Sequence, residues 1–71
     1  MATRSSSRGS VTAFDEHAGL GEVTAQDGTV HPFHCTAIAD GTRTIDVGVA
    51  VRFAVVPGRS GAWEAVQIDA I

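Results

Sequence analysis

Three histidines and one cysteine are the residues of this chain whose side chains could hold a metal ion. His31, His34 and Cys35 lie close together in the sequence, and His17 precedes them. Zinc is held by three or four such ligands that converge on one point. Adjacent side chains on a strand point to opposite faces, and the spacing of these residues matches no common zinc pattern. We therefore predict no metal and no other cofactor.

Cys35 is also the candidate nucleophile, but the sequence places no general base or acid beside it. No pair of carboxylates and no nucleophile–base pair is evident elsewhere in the sequence. A lone cysteine is more often a small buried side chain, and it has no partner for a disulfide within the chain. The sequence therefore predicts a protein that is not an enzyme.

The charge of the chain limits the partners that it attracts. Eight acidic residues stand against five arginines and no lysine, which gives a net charge of −3. From Gly9 onward the chain contains three arginines and all eight acidic residues, which gives a net charge of −5. This part of the chain therefore has no extended positive potential that attracts phosphates. Nucleic-acid binding through a local basic patch or through base stacking does not require a positive net charge. Arginine without lysine, together with abundant alanine and valine, also suggests a GC-rich genome, and a bacterial source is expected.

Alternating apolar residues and turn signals predict five β-strands. The predicted strands are residues 9–15, 20–25, 29–34, 47–56 and 62–71. Asp27-Gly28 is a strong hairpin signal between the second and third strands, and residues 35–39 are predicted to make one turn of helix. Residues 1–8 are predicted to form a flexible Ser/Arg lead, followed by a single domain at 9–71.

The last two predicted strands carry the clearest inside–outside pattern. The side chains predicted to point inward are Val49, Val51, Phe53, Val55, Val66 and Ile68, whereas Ala50, Arg52 and Ala54 are predicted to face solvent. Five short strands must close on themselves to avoid open edges. The sequence thus predicts an all-β fold, a five-stranded antiparallel OB-type barrel, with an SH3-like barrel as the alternative that strand counting does not separate.

Three segments of the chain carry a resemblance to a known family. Residues 9–15 read Gly-Ser-Val-Thr-Ala-Phe-Asp, residues 19–23 read Gly-Leu-Gly-Glu-Val, and residues 31–38 read His-Pro-Phe-His-Cys-Thr-Ala-Ile. They resemble the cold-shock domain, whose members have Gly-x-Val-x-Trp-Phe-Asn, Gly-Phe-Gly-Phe-Ile and Val-Phe-Val-His-Phe-Ser-Ala-Ile there. The resemblance covers nearly all of residues 9–71 and implies a small barrel that binds single-stranded nucleic acid.

The departures from the family pattern fall mostly on the aromatic positions that stack bases. The residues found at those positions are Ala13, Leu20, Glu22, Pro32, Cys35 and Thr42, and Ala18 replaces the motif lysine. Phe14 and His34 remain in register. Each stacked base contributes roughly 1–3 kcal/mol, so the resemblance implies weakened or altered binding.

The resemblance implies that the face formed by the first three strands binds RNA or DNA. The residues predicted to contact nucleic acid are Phe14, Leu20, Phe33, His34 and Arg43, with Arg4 and Arg8 of the lead adding phosphate contacts. For Phe14 and Phe33 a place in the barrel core is the alternative. For His34 the alternative is an ordinary surface residue. Trp63 is a possible protein contact, or else it covers the end of the barrel.

The function implied by the resemblance is that of a cold-shock-like protein that binds single-stranded RNA or DNA. It would act in the regulation of transcription or translation, or as an RNA chaperone. The alternative is a protein-interaction OB module that has lost nucleic-acid binding and contacts the transcription or translation machinery. No apolar run is long enough to span a membrane and the first residues lack the apolar core of a secretory signal, so a cytoplasmic location is expected.

Overall fold

The strands lie in one antiparallel sheet in the order β3-β2-β1-β4-β5. The computed structural model describes residues 6–58 and 63–71. The elements are β1 (Ser6–Asp15), β2 (Leu20–Ala25), β3 (Val30–His34), a short 3-10 helix (Cys35–Ala37), β4 (Ala50–Pro57) and β5 (Trp63–Ala70). The five predicted antiparallel strands and the single turn of helix are confirmed.

Two strand starts differ from the prediction by three residues. β1 begins at Ser6, so residues 6–8 belong to a strand and not to the predicted flexible lead, whose residues 1–5 lie outside the described residues. β4 begins only at Ala50 because the chain turns at Gly48, which has a φ of 98° that favours glycine. The Gly48 N–H still donates to the Val11 carbonyl at 2.8 Å, so the approach to β4 remains attached to β1.

The concave side of the sheet holds one apolar core. Its members are Val11, Val23, Phe33, Ile38, Val51, Phe53, Ala65 and Ile68, each at most 4% exposed. They come from all five strands and from the residue after the helix, because strand alternation turns every second side chain of each strand inward. Because these side chains point into the core, the alternate side chains of each strand point to the outer surface of the sheet.

A bulge in each half of the sheet changes that alternation. In β1 the register shifts between Val11 and Ala13, so Ala13 lies opposite Glu22 and Phe14 lies opposite Gly21. Thr12 is the extra residue and its side chain is exposed.

The second bulge lies between β4 and β5, where the register shifts between Arg52 and Ala54. Gln67 has a φ of 53° there. The prediction that Val66 points inward is wrong, because the bulge gives that place to Ala65, which is 1% exposed. The prediction that Ala54 faces solvent is also wrong, because Ala54 is 7% exposed on the far side of the same bulge from Arg52.

The sheet curls so that β3 approaches β5, but no hydrogen-bonded ladder joins these two edges within the described residues. Three contacts span the seam instead. Ala39 N–H donates to the Ile68 carbonyl at 2.9 Å, Ile38 and Ile68 form an isolated parallel bridge, and His31 Nδ1 lies 3.0 Å from the Trp63 carbonyl oxygen. The predicted closure is therefore made by packing and isolated hydrogen bonds, and no continuous ladder completes the barrel within the described residues.

Candidate nucleic-acid interface

The outer face of β1, β2 and β3 contains a row of three residues held by strand register. Glu22 of β2 lies opposite Ala13 of β1 and opposite Pro32 of β3. Glu22 and Pro32 are exposed and Ala13 is half-buried. Because paired residues point to the same side of a sheet, the three side chains form one strip across the strands. This strip has a carboxylate at its centre and no aromatic ring.

A second row lies beside the first, toward the turn between β1 and β2. Leu20 is opposite Asp15 on β1 and opposite His34 on β3. All three residues are exposed, and 53% of the surface of Leu20 is accessible. We call the six residues of the two rows the outer face. Leu20 and His34, both predicted to bind nucleic acid, are thus neighbours on it.

His34 has a fixed ring orientation because it caps the 3-10 helix. Its Nδ1 accepts the Thr36 N–H at 3.4 Å and lies 3.1 Å from the Thr36 hydroxyl oxygen. In the neutral ring an accepting Nδ1 leaves the proton on Nε2. The cap therefore presents Nε2 as a hydrogen-bond donor on an exposed side chain, which suits a base edge or a phosphate oxygen.

Phe33 does not reach the outer face. It is 2% exposed, so the prediction that it contacts nucleic acid is wrong. Pro32 keeps the alternation of β3, so Phe33 turns inward and its ring covers Gly21. A Cβ atom on Gly21 would lie only 2.5 Å from the Phe33 ring. The core alternative stated for Phe33 is the one observed.

Phe14 is shared between the core and the surface. Its ring stacks on that of Phe33, with centroids 5.9 Å apart and an interplanar angle of 6°. It is half-buried and packs against the core. The rest of it borders a shallow cavity of about 330 Å³ lined by Ala13, Phe14, Asp15, Leu20, Gly21 and Glu22. Part of one planar ring therefore remains accessible beside the outer face.

The structure does not place Arg43 or Trp63 on the outer face. Arg43 is exposed in the loop between the helix and β4, where its φ is 63°. Trp63 is 55% exposed at the start of β5, opposite Pro57. Their contacts with nucleic acid and with protein stay predictions. Arg4 lies outside the described residues, whereas Arg8 is an exposed residue of β1.

The electrostatics of the outer face are set by Asp15 and Glu22. Residues 9–42 contain no arginine and no lysine, so β2 and β3 carry no permanent cation. The carboxyl groups with a lowered pKa lie in the loops. Backbone hydrogen bonds from Thr29 and Thr42 lower the pKa of Asp27 and Asp40 respectively.

Sequence reasoning missed a pair of arginines on the neighbouring strands. Arg8 of β1 lies directly opposite Arg52 of β4, and both are exposed. Arg8 had been assigned to the lead and Arg52 to ordinary solvated surface. No sequence signal marks this pair, because Ser-Ser-Arg-Gly at residues 6–9 has no apolar alternation and these residues join β1 through their pairing with β4.

Two features are absent from the described part of the chain. Residues 6–58 and 63–71 contain no group of three or more histidine, cysteine, aspartate or glutamate side chains arranged to hold a metal ion. In the same residues we found no helix with the length and apolar character needed to cross a membrane.

The comparison with known proteins finds similarity both by sequence and by structure. No protein-family model matches the chain. It is 36% identical over 66 residues to "Cold shock protein 1" of Arabidopsis thaliana, an alignment that covers 90% of this chain and 22% of the plant protein. The solved structure "drosophila Unr CSD456" matches with a TM-score of 0.77 and 25% identity, over 94% of this chain and 27% of that chain.

Both alignments cover only a small part of the related protein. The chain spans 22% of the length of the plant relative and 27% of the fly chain. The fold match covers 94% of this chain, which here forms five antiparallel strands with almost no helix. The relatives come from a plant and an insect, so they give no support to the bacterial origin suggested by the composition.

Proposed function

This chain belongs to the cold-shock domain family, and we propose that it binds single-stranded RNA or DNA on the outer face of β1, β2 and β3. The observation that carries the proposal is the pairing of Leu20 with His34. An exposed apolar side chain there adjoins a ring whose Nε2 is presented as a donor by the helix cap. Phe14 borders the same surface with part of its ring.

The row of Ala13, Glu22 and Pro32 supports a binding mode with fewer stacked bases than the family pattern provides. None of these side chains offers the aromatic ring on which a base stacks. Each lost stack removes roughly 1–3 kcal/mol, so three losses lower the affinity by about a hundredfold or more. Glu22 adds a repulsion between its carboxylate and nearby phosphates. The proposed role is capture of single strands during transcription or translation, including the melting of weak RNA structure.

The double variant A13W/E22F tests the assigned face. It restores two rings at positions that lie directly opposite each other, so affinity for short oligothymidine should rise about tenfold or more. Binding is measured by fluorescence anisotropy of labelled oligothymidine and mixed-sequence RNA at low salt. The variant E22Q removes the charge without adding a ring, and it should raise the affinity by a smaller, salt-dependent factor.

Two results would count against this proposal. If the A13W/E22F variant binds oligonucleotides no better than the parent protein, the ligand does not lie on the outer face. If neither protein binds at high micromolar concentrations and low salt, single-stranded nucleic acid is not the ligand.

A protein-interaction module is the second candidate function. The exposed Leu20 and Pro32 make part of the outer face apolar, which suits contact with a protein of the transcription or translation machinery. Substitution of Leu20 by Asp separates the two functions. A protein partner that is retained by the parent protein and lost by L20D, together with the absence of oligonucleotide binding, favours this candidate.

A further inference from the structure

Two arginines face each other on the outside of β1 and β4. The ladder between these strands places Arg8 directly opposite Arg52, and both side chains are exposed. Residues paired in this way point to the same side of the sheet, with Cβ atoms about 4.5–5.5 Å apart. Like charges at such positions destabilise a sheet. An anion shared by the two guanidinium groups would remove that repulsion.

The carboxylates near the arginine pair do not neutralise it within the row. Asp69 of β5 lies opposite Arg52 on the side away from Arg8, so the row across the three strands contains two guanidinium groups and one carboxylate. On its other side Arg8 borders a cavity of about 350 Å³ together with Asp27. Asp27 Oδ1 accepts the Thr29 N–H at 2.9 Å within its own turn. The row of Arg8, Arg52 and Asp69 therefore keeps one excess positive charge.

The outer face has the opposite sign. Asp15 and Glu22 lie on it, and Glu16 follows in the adjoining turn. Since residues 9–42 contain no arginine or lysine, a nucleic-acid backbone that crosses β2 meets carboxylates and no permanent cation. Phosphates are therefore repelled from the strands on which the bases are expected to rest.

β1 connects the arginine pair to the outer face. Between Arg8 and Ala13 the strand presents Ser10, whose partners are Thr24 on β2 and Ala50 on β4. These side chains are small and uncharged, so they neither block nor repel a ligand. At 3.2–3.4 Å per residue, Arg8 and Ala13 are about 16 Å apart along the strand. A few nucleotides span that distance.

We infer that Arg8 and Arg52 together bind a phosphate of the single-stranded ligand, on the β1–β4 surface beside the outer face. This inference rests on the proposed function, and it places the backbone of the ligand over β1 and β4 with its bases toward Leu20 and His34. Guanidinium groups suit this role because each presents a planar fork of donors that matches the oxygens of a phosphate. Two forks on one phosphate also remove the repulsion between the arginines.

The variants R8Q and R52Q test the inference with labelled oligothymidine at about 20 mM and about 150 mM salt. Each should weaken binding about three- to tenfold at the lower salt concentration, and each should reduce the slope of log affinity against log salt by about one. The double variant R8K/R52K keeps both charges. It should retain the salt slope and lose affinity, because ammonium groups lack the fork.

Two acid-to-amide variants provide a matched control for net charge. D69N removes the carboxylate beside Arg52, whereas D46N removes one in the exposed loop before β4. D69N should strengthen binding severalfold and D46N by less than about twofold, because exposed charges more than about 10 Å away are screened. Equal effects of the two variants would show that overall charge, and not the arginine pair, governs binding.

The outcomes separate this inference from the proposed function. If the parent protein binds oligothymidine and R8Q/R52Q binds it equally well with an unchanged salt slope, the inference is wrong and the proposed function stands. If the parent protein binds no oligonucleotide, the proposed function fails, and so does the assignment of a nucleic-acid phosphate to the arginine pair. Thermal unfolding by circular dichroism verifies that each variant is folded.

Two further probes distinguish the source of the phosphate. An abasic deoxyribose-phosphate strand keeps the backbone without bases, and tripolyphosphate supplies phosphate alone. Loss of abasic-strand binding in R8Q/R52Q supports a backbone contact. Binding of each probe is monitored by the NMR signals of the Arg8 and Arg52 Nε–H groups. If tripolyphosphate shifts these signals and the abasic strand does not, the ligand is a free polyphosphate and the backbone assignment is wrong.

Discussion

At the scale of single residues, Gly21 decides where the ring of Phe33 can lie. A Cβ atom at this position would lie 2.5 Å from Phe33 Cζ and 2.7 Å from the Ala13 carbonyl oxygen. The second of these contacts is with backbone, which a rotamer change does not relieve. Because Gly21 has no side chain, the ring of Phe33 packs directly against β2 on the core side of the sheet, beneath the outer face.

The substitution Gly21→Ala should lower the free energy of unfolding by about 1–3 kcal/mol, because it overpacks this contact. Urea unfolding followed by circular dichroism measures the change. Glu16→Ala, in the exposed turn nearby, serves as the control and should change the stability by less than about 0.5 kcal/mol. If Gly21→Ala is as stable as the parent protein, the ring of Phe33 does not occupy the space over Gly21.

Strict alternation from Pro32 to His34 gives the core alternative for Phe33, but Phe33 was predicted to contact nucleic acid because Pro32 could shift the register of β3. The same reasoning left Phe14 undecided. The bulge at Thr12 turns the side chain of Ala13 outward and that of Phe14 inward. No residue type in this segment indicates that the strand contains an extra residue. Polar and small residues occupy both sides of the bulge, so the inside–outside pattern there is too weak to reveal it.

At the scale of elements, the turn between β2 and β3 depends on an ionised side chain. Asp27 Oδ1 accepts the Thr29 N–H at 2.9 Å, and Gly28 has a φ of 91°. The hydrogen bond from the Thr29 backbone lowers the pKa of Asp27 from its ordinary value of 3.8. The Asp-Gly signal for this hairpin was readable in the sequence, and the structure confirms the turn.

The lowered pKa of Asp27 predicts how stability depends on pH. A carboxyl whose pKa is lower in the folded state stabilises the fold above its unfolded pKa, and this contribution disappears as the pH falls through the folded value. Asp27→Ala should therefore lower the Tm at about pH 7 and have much less effect at about pH 2. An equal loss of Tm at both pH values would mean that the ionised form has no special role in the turn.

The lengths of the strands were harder to predict than their number. β2 was predicted with its observed bounds, because Gly19 and Asp27-Gly28 punctuate it on both sides. β1 extends back to Ser6 because Ser6, Ser7 and Arg8 pair with β4, a partner about 45 residues away in sequence. Serine and arginine have no strong preference for strands, so only this long-range pairing makes them part of one.

At the scale of the whole molecule, few hydrogen bonds of the described residues hold the seam between β3 and β5, and His31 makes one of them. Its Nδ1 lies 3.0 Å from the Trp63 carbonyl oxygen, and its ring packs at a tilt against Phe53 with centroids 5.9 Å apart. His31 thus joins β3 to β4 and β5, strands that are not its neighbours in the sheet order.

The substitution His31→Ala should lower the free energy of unfolding by about 1–2 kcal/mol, because it removes this hydrogen bond and the ring contact. It should also speed hydrogen exchange of backbone amides along β3 and β5 more than along β1. His17→Ala, in the exposed turn before β2, is the matched control and should change neither quantity. Uniform faster exchange in every strand would contradict a local role at the seam.

The position of Trp63 has a practical consequence. The chain has one tryptophan and no tyrosine, and this tryptophan is already 55% exposed in the folded protein. Its indole therefore meets water in the native state much as it does in the denatured chain. Intrinsic emission is consequently a poor optical probe of this barrel, and melting curves are better recorded from the amide backbone.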